Sequence, residues 1–234
     1  MSDWKAKRFW KDTTVEACDN GFRVLLDGRP VKTPAKTSFA VPTRALAEKI
    51  ATEWQAQEDE VRPDTMPFTR MANSAIDKVT PQHSAVAEML AEYGGTDLIC
   101  YRADGPQELI DLQAQAWDPL LAWAKDALNA TLTPVEGVMF ASQPKDSLAR
   151  LEAQVKALEP FQLAAFHDLV ALSGSLIIAF ALIHAHDTAD NLWDMSRIDE
   201  TWQISQWGED EENEQMVGVK RQSFMDAAAF YALL

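Results

Sequence analysis

The apolar positions along the chain change period near residue 42, and that change divides the sequence. From residue 8 to 42 the polarity alternates in short runs broken by turn residues. Thr13–Cys18 alternates as a half-buried strand does, Asp19-Asn20-Gly21 marks a turn, Phe22–Leu26 resumes the strand, and Asp27-Gly28 marks a second turn. Val31–Thr33 and Phe39–Val41, set between Pro30, Pro34 and Pro42, are further strand candidates. These runs predict a small antiparallel sheet that needs something to pack against.

Beyond Pro42 the apolar spacing becomes helical. Thr43 is placed to cap a helix in which Leu46, Ile50 and Trp54 recur every four residues, with Trp54 on the buried side. Residues 59–67 (DEVRPDTMP) form a Pro-broken connection that sets a domain boundary. Everything after it reads as helix: 68–79, 84–101 with a glycine interruption, 106–129, 145–158, 161–186, 189–207 and 210–231. Trp117-Asp118-Pro119 predicts a kink, with Asp118 as cap and Pro119 opening a second helix. Residues 132–144 are the one long non-helical insertion of this half. Leu169–Ile183 is apolar nearly all round but shorter than the about 20 residues of a membrane span, and predicts a central buried helix. The expected fold is therefore a multidomain α+β protein, with a small antiparallel β-rich domain and one helix over 1–65 and a larger all-α domain over 66–234.

Charge adds a constraint. The chain carries −15 over 234 residues, unevenly: residues 1–49 hold ten Lys/Arg against six Asp/Glu, and the rest 11 against 30. Such acidity disfavours nucleic acid and anionic membranes as partners and suits a basic protein. Cys18 and Cys100 lie far apart and fit buried thiols in a reducing compartment. The N-terminal MSDWKAKRFW has neither a signal core nor the features of a transit peptide, which predicts a cytoplasmic location.

Motifs for nucleotide chemistry, G-x-x-x-x-G-K-[ST] and G-x-G-x-x-G, do not occur. Ser173-Gly174-Ser175 lacks the glycines of a nucleophile elbow. His184 and His186, two apart on a continuing helix, would point to opposite sides, so no metal site is expected.

Asp199–Glu214 (DETWQISQWGEDEENE) resists an ordinary structural account. It crowds carboxylates beside Trp202 and Trp207 with no basic residue. If 189–207 is one helix, Trp193, Arg197, Glu200, Ile204 and Trp207 share a stripe, and Asp199 and Gln203 lie on the next. Arg197 is placed to pair with Glu200, and Gly208 to end the helix. Glu209–Glu212 suit the first turn of a following helix, where the dipole favours carboxylates. Carboxylates beside aromatics also occur in glycoside hydrolases, so Glu200 with Asp210 supplies one alternative, and a general acidic adaptor for basic proteins another.

Several segments together resemble the assembly chaperones that hold the alpha subunit of the ATP synthase soluble head. They are Leu26-Asp-Gly-Arg-Pro-Val-Lys-Thr-Pro34, Glu53-Trp54, Met66-Pro67, Asn73-Ser-Ala-Ile-Asp77, Thr96-Asp-Leu-Ile-Cys-Tyr-Arg102, Gln115-Ala-Trp-Asp-Pro119 with Trp123, and Ser196-Arg-Ile-Asp-Glu-Thr-Trp-Gln203 running to Trp207-Gly208 and Asp210-Glu211. The resemblance implies a β domain followed by a helical domain, no catalysis, no ATP use and no cofactor. It implies a monomer that binds the unassembled alpha subunit, shields its beta-facing surface and keeps it from aggregating. An acidic residue of the C-terminal motif matters in this family; Glu200 is its match here, with Asp210 or Glu211 as alternative. The partner-binding set expected from these arguments is Asp199, Glu200, Trp202, Gln203, Trp207, Asp210 and Glu211. The chain looks like a bacterial relative of the mitochondrial factor.

Overall fold

Alternation and turn residues produce the expected hairpin: β1 (Thr13–Cys18) pairs antiparallel with β2 (Gly21–Leu26), Val15 facing Val24 and Cys18 facing Gly21. The computed structural model describes residues 7–208 and 211–234, without the side chains of 211–213. Gly21 has φ of 120°, and a Cβ there would lie 2.3 Å from the Val41 carbonyl oxygen, which accepts a hydrogen bond from Phe22 N at 2.8 Å. Only glycine allows that approach. β3 (Arg29–Pro30) completes a three-stranded antiparallel sheet. The two further strand candidates form only the single bridges Lys32–Ser38 and Phe22–Val41. Pro30, Pro34 and Pro42 withhold the N–H groups that a longer ladder needs.

Helix α1 (Arg44–Gln55) packs on this sheet, its first turn capped as predicted by the Thr43 hydroxyl, which accepts from Leu46 N at 3.2 Å. Leu46 and Ile50 are fully buried, and Trp54 packs edge-on against Trp10 at 5.3 Å. α1 also starts the next helix, α2 (Pro67–Ser74). The buried Glu53 carboxylate accepts from Phe68 N, Thr69 N and Thr69 Oγ1 at 2.8, 2.8 and 2.6 Å, filling the donors of a first turn. Burial raises the Glu53 pKa, and those three donors pull it down. The helix expected to run to Val79 leaves α-geometry after Ser74 for a π-turn over Ala75–Val79. There Asp77 accepts from Thr33 Oγ1 at 2.8 Å and Ala35 N at 3.1 Å, tying the turn to the sheet's long loop.

The chain forms two compact units. The first comprises Met1–Gln82, Glu159–Ala165 and Ala229–Leu234, and the second His83–Leu158 and Phe166–Ala228. The first holds the sheet, α1 and α2, with Phe230 stacked on Phe161 and tilted against Phe68. The second is helical: α3 (His83–Ala91), α4 (Gln107–Ala127), α5 (Lys145–Lys156), most of α6 (Pro160–Ser173), α7 (Leu176–Ile183), α8 (Ala189–Met195), α9 (Ile198–Trp207) and most of α10 (Glu211–Ala232). Two short strands, β4 (Tyr101–Arg102) and β5 (Val135–Glu136), pair in parallel within it. The fold is the expected α+β arrangement. Among the described residues no helix is long and apolar enough to cross a membrane.

Three further predicted helices end or continue where they were not expected to. α3 stops at Ala91 and gives way to 3-10 turns over 92–95 and 98–100. A Cβ on Gly94 would lie 3.2–3.4 Å from Leu148, Leu176 and Leu151, so this glycine allows close packing. α4 runs through Pro119 without dividing. Asp118 and Pro119 face solvent, which leaves the freed carbonyl open to hydration, while Trp117 and Leu120 hold both sides of the proline in the core. The apolar run 169–183 is two helices, α6 and α7, broken at Gly174 with φ of 71°. Ser175 caps α7 by accepting from Ile178 N at 3.0 Å. The buried Asp97 accepts from Ile99 N at 3.2 Å and Ile177 N at 3.0 Å, and Gly174 O accepts from Leu98 N at 3.1 Å. The small residues there serve a capped break, and the motif residue Asp97 closes it.

Candidate functional site

The candidate site is built on α8 and α9, which are two helices and not the single one expected over 189–207. Thr188 caps α8, accepting from Asn191 N at 3.2 Å. Its buried Leu192 and Trp193 fix it in the core, Trp193 lying 5.5 Å from Phe224 of α10. Ser196 Oγ then turns back to donate to Trp193 O at 2.6 Å, and Trp117 Nε1 of α4 donates to Met195 O at 2.8 Å. These bonds consume the carbonyls that a continuing helix needs, and Arg197 leaves helical geometry (φ −116°, ψ 13°). The five-residue stripe from Trp193 to Trp207 is therefore interrupted, although Arg197 still lies over the Trp193 ring at 5.8 Å.

On α9 the expected residues separate into two roles. Asp199 turns inward: its carboxylate accepts from Gln113 Nε2 of α4, while Gln113 Oε1 accepts from Ala103 N at 2.8 Å. Gln113 is buried, and no sequence pattern marks it as the anchor of α9. The expected Arg197–Glu200 pair forms at 2.8 Å, with side chains 18% and 43% exposed. Glu200 thus covers a mostly buried guanidinium and keeps an open outer edge. Gln203 is exposed, Trp202 and Ile204 are half-buried, and Trp207 is 81% exposed. At 100° per residue Glu200, Gln203 and Trp207 share one side of α9. Gly208 ends the helix with φ of 89° and its N–H on Ile204 O at 2.8 Å. Asp210 lies outside the described residues, and Glu211 is described only as the first backbone position of α10. Farther along α10, Met216 and Val219 are exposed apolar residues on one helix side.

The geometry suits recognition by a protein surface: an exposed indole, an amide and a carboxylate on a short helix pinned from behind. The net charge sharpens this. The second unit holds eight Lys/Arg against 23 Asp/Glu, and the first 13 against 13, so the whole excess of −15 belongs to the unit that carries α9. His184 and His186 are brought together, contrary to the opposite orientation expected on a continuing helix. The helix ends at Ile183, Ala185 takes φ of 51°, and both rings pack on Trp123 at 5.8 and 4.8 Å. Among the described residues no group of three or more His, Cys, Asp or Glu side chains is placed to hold a metal ion. Burial pushes the Cys100 thiol up to about 12, which leaves it protonated and unreactive.

Both the sequence and the fold match known proteins. The ATP12 chaperone protein family matches residues 7–125. The mitochondrial protein atp12 of Schizosaccharomyces pombe is 25% identical over 214 residues, covering 86% of this chain and 74% of its own length. The crystal structure of Atp12 from Paracoccus denitrificans is 47% identical, covers 99% of both chains and superposes with a TM-score of 0.95. An Asp-to-Lys mutant of that protein gives 46%, the same coverage and 0.96. The Atu1473 protein of Agrobacterium tumefaciens gives 40%, covering 97% of this chain and 85% of its own, with a TM-score of 0.93. The chain belongs to the ATP12 chaperone family, the ATP synthase assembly factors whose motifs its sequence resembles.

Proposed function

We propose that the chain binds the unassembled alpha subunit of the ATP synthase soluble head through α9, shields its beta-facing surface and so prevents its aggregation. The observation that carries this reading is the exposed Trp207 beside Glu200 and Gln203 on a helix of the strongly acidic unit. An unassembled subunit exposes the apolar patch that its neighbour will later cover. Trp207 anchors in that patch, as tryptophans do at interface centres. Glu200 and the surrounding carboxylates attract basic groups on the client and set the docking register. No step requires ATP, a metal or catalysis: the beta subunit displaces the chaperone by competing for the same surface with a larger interface.

Light scattering of purified alpha subunit diluted from denaturant tests the reading. The chain at equimolar ratio should suppress the scattering and co-elute with the subunit, and added beta subunit should release it. Undiminished aggregation with no co-elution contradicts the proposal.

A further inference from the structure

The second unit carries another exposed apolar feature, on a loop far along the chain from α9. Between β5 and α5 the loop presents Val138, Met139 and Phe140, which are 93%, 78% and 70% exposed. Three consecutive large apolar side chains turned to solvent are unusual where nothing covers them. The loop is not a loose excursion. Its stem is closed by the buried Gln143, whose Oε1 accepts from Thr133 N at 2.7 Å and whose Nε2 donates to Thr133 O at 2.9 Å. On the other side Gly137 N donates to Arg102 O at 2.8 Å, extending the β4–β5 pairing. Arg102 is itself fixed, donating from Nε to Ile99 O at 2.8 Å and lying over Trp117 at 5.3 Å. A rigid base thus holds out an apolar tip.

We infer that Val138–Phe140 is a second client-docking element, a finger that inserts into an apolar cleft rimmed by Lys and Arg on the alpha subunit. The inference rests on the proposed function and extends it beyond α9. Charge selects this occupant. No Lys or Arg occurs from 126 to 144, and the unit's balance is eight basic against 23 acidic residues. A lipid-inserting tip gains from basic residues beside it on an anionic bilayer, and none lies within four residues of Val138–Phe140. A second copy of the chain would bring the same negative unit against itself. A basic-rimmed protein cleft is the partner whose charge complements the tip's surroundings.

The test is the full-length triple variant Val138→Ser, Met139→Ser, Phe140→Ser. Because all three side chains face solvent, its circular dichroism and thermal midpoint should match wild type. The concentration that half-suppresses alpha-subunit aggregation should rise at least about tenfold, the loss of one apolar anchor. Equal suppression by the variant overturns the finger and leaves the α9 reading intact. Failure of wild type itself to suppress overturns the proposed client, and this contact with it. Flotation with phosphatidylcholine–phosphatidylglycerol vesicles, or a wild-type dimer in sedimentation velocity, overturns the inference if the triple variant abolishes it.

Discussion

Replacing Asp97 by alanine should be among the most damaging single changes in the second unit, with a cost that depends on pH. The carboxylate is fully buried and accepts from Ile99 N and Ile177 N, and the Ser175 side chain also hydrogen-bonds to it. Alanine leaves two buried N–H groups unpaired at about 1–3 kcal/mol each. The variant should therefore lose about 3 kcal/mol at pH 8. Burial, opposed by these hydrogen bonds, pushes the Asp97 carboxyl up from 3.8 to about 6. The folded state therefore binds the proton more tightly than the unfolded chain. That contribution is full below the unfolded value and is lost as pH rises through about 6. Between pH 8 and pH 5 wild type should gain about 1.4 kcal/mol over the alanine variant, which lacks the group. Urea unfolding of both proteins at the two pH values measures this. A cost below about 1 kcal/mol, or a larger cost at pH 8 than at pH 5, refutes the reasoning.

Three further substitutions, at two positions, probe the first unit. Glu53→Ala removes the acceptor for Phe68 N and Thr69 N and should lower its stability by about 2–4 kcal/mol, read as a fall in the urea midpoint with unchanged slope. Glu53→Gln, which keeps one acceptor oxygen, should lose less. Gly21→Ala forces a Cβ against Val41 O at positive φ and should cost about 2–4 kcal/mol; faster amide exchange at Phe22 and Val41 would report the opened hairpin.

The elements that sequence made legible are those whose signal is local. Thr43 capping α1, the Asp19–Gly21 turn and the Arg197–Glu200 pair depend on residues within four positions, and each is present. The errors come from partners distant in sequence. Pro119 does not divide α4, because burial of Trp117 and Leu120 outweighs one lost hydrogen bond. The break at Gly174 depends on Asp97, about 80 residues away, and the break before α9 is reinforced by Trp117 bonding Met195 O. Asp199, on the acidic stretch, turns to a buried Gln113 that no pattern announces. The exposed tip has a local signal as well: Val138-Met139-Phe140 is an apolar run inside the non-helical insertion 132–144. Glycine, serine and proline around it rule out the helix or strand that would have buried it.

The central claim is that α9 docks the client, and Glu200 is its most direct probe. Glu200→Lys reverses the charge on the exposed side of α9 and sets two cations side by side with Arg197, 2.8 Å from the present carboxylate. Because Arg197 is only 18% exposed, losing its partner costs more than the about 0.5 kcal/mol of a fully exposed like-charge pair, so the folded state of the variant has to be checked beside its binding. The measurement is the dissociation constant of the freshly diluted alpha subunit from wild type and from Glu200→Lys, with circular dichroism of each chaperone as the folding control. The account predicts a folded variant whose binding is weakened about tenfold or more. A folded variant that binds as tightly as wild type contradicts it.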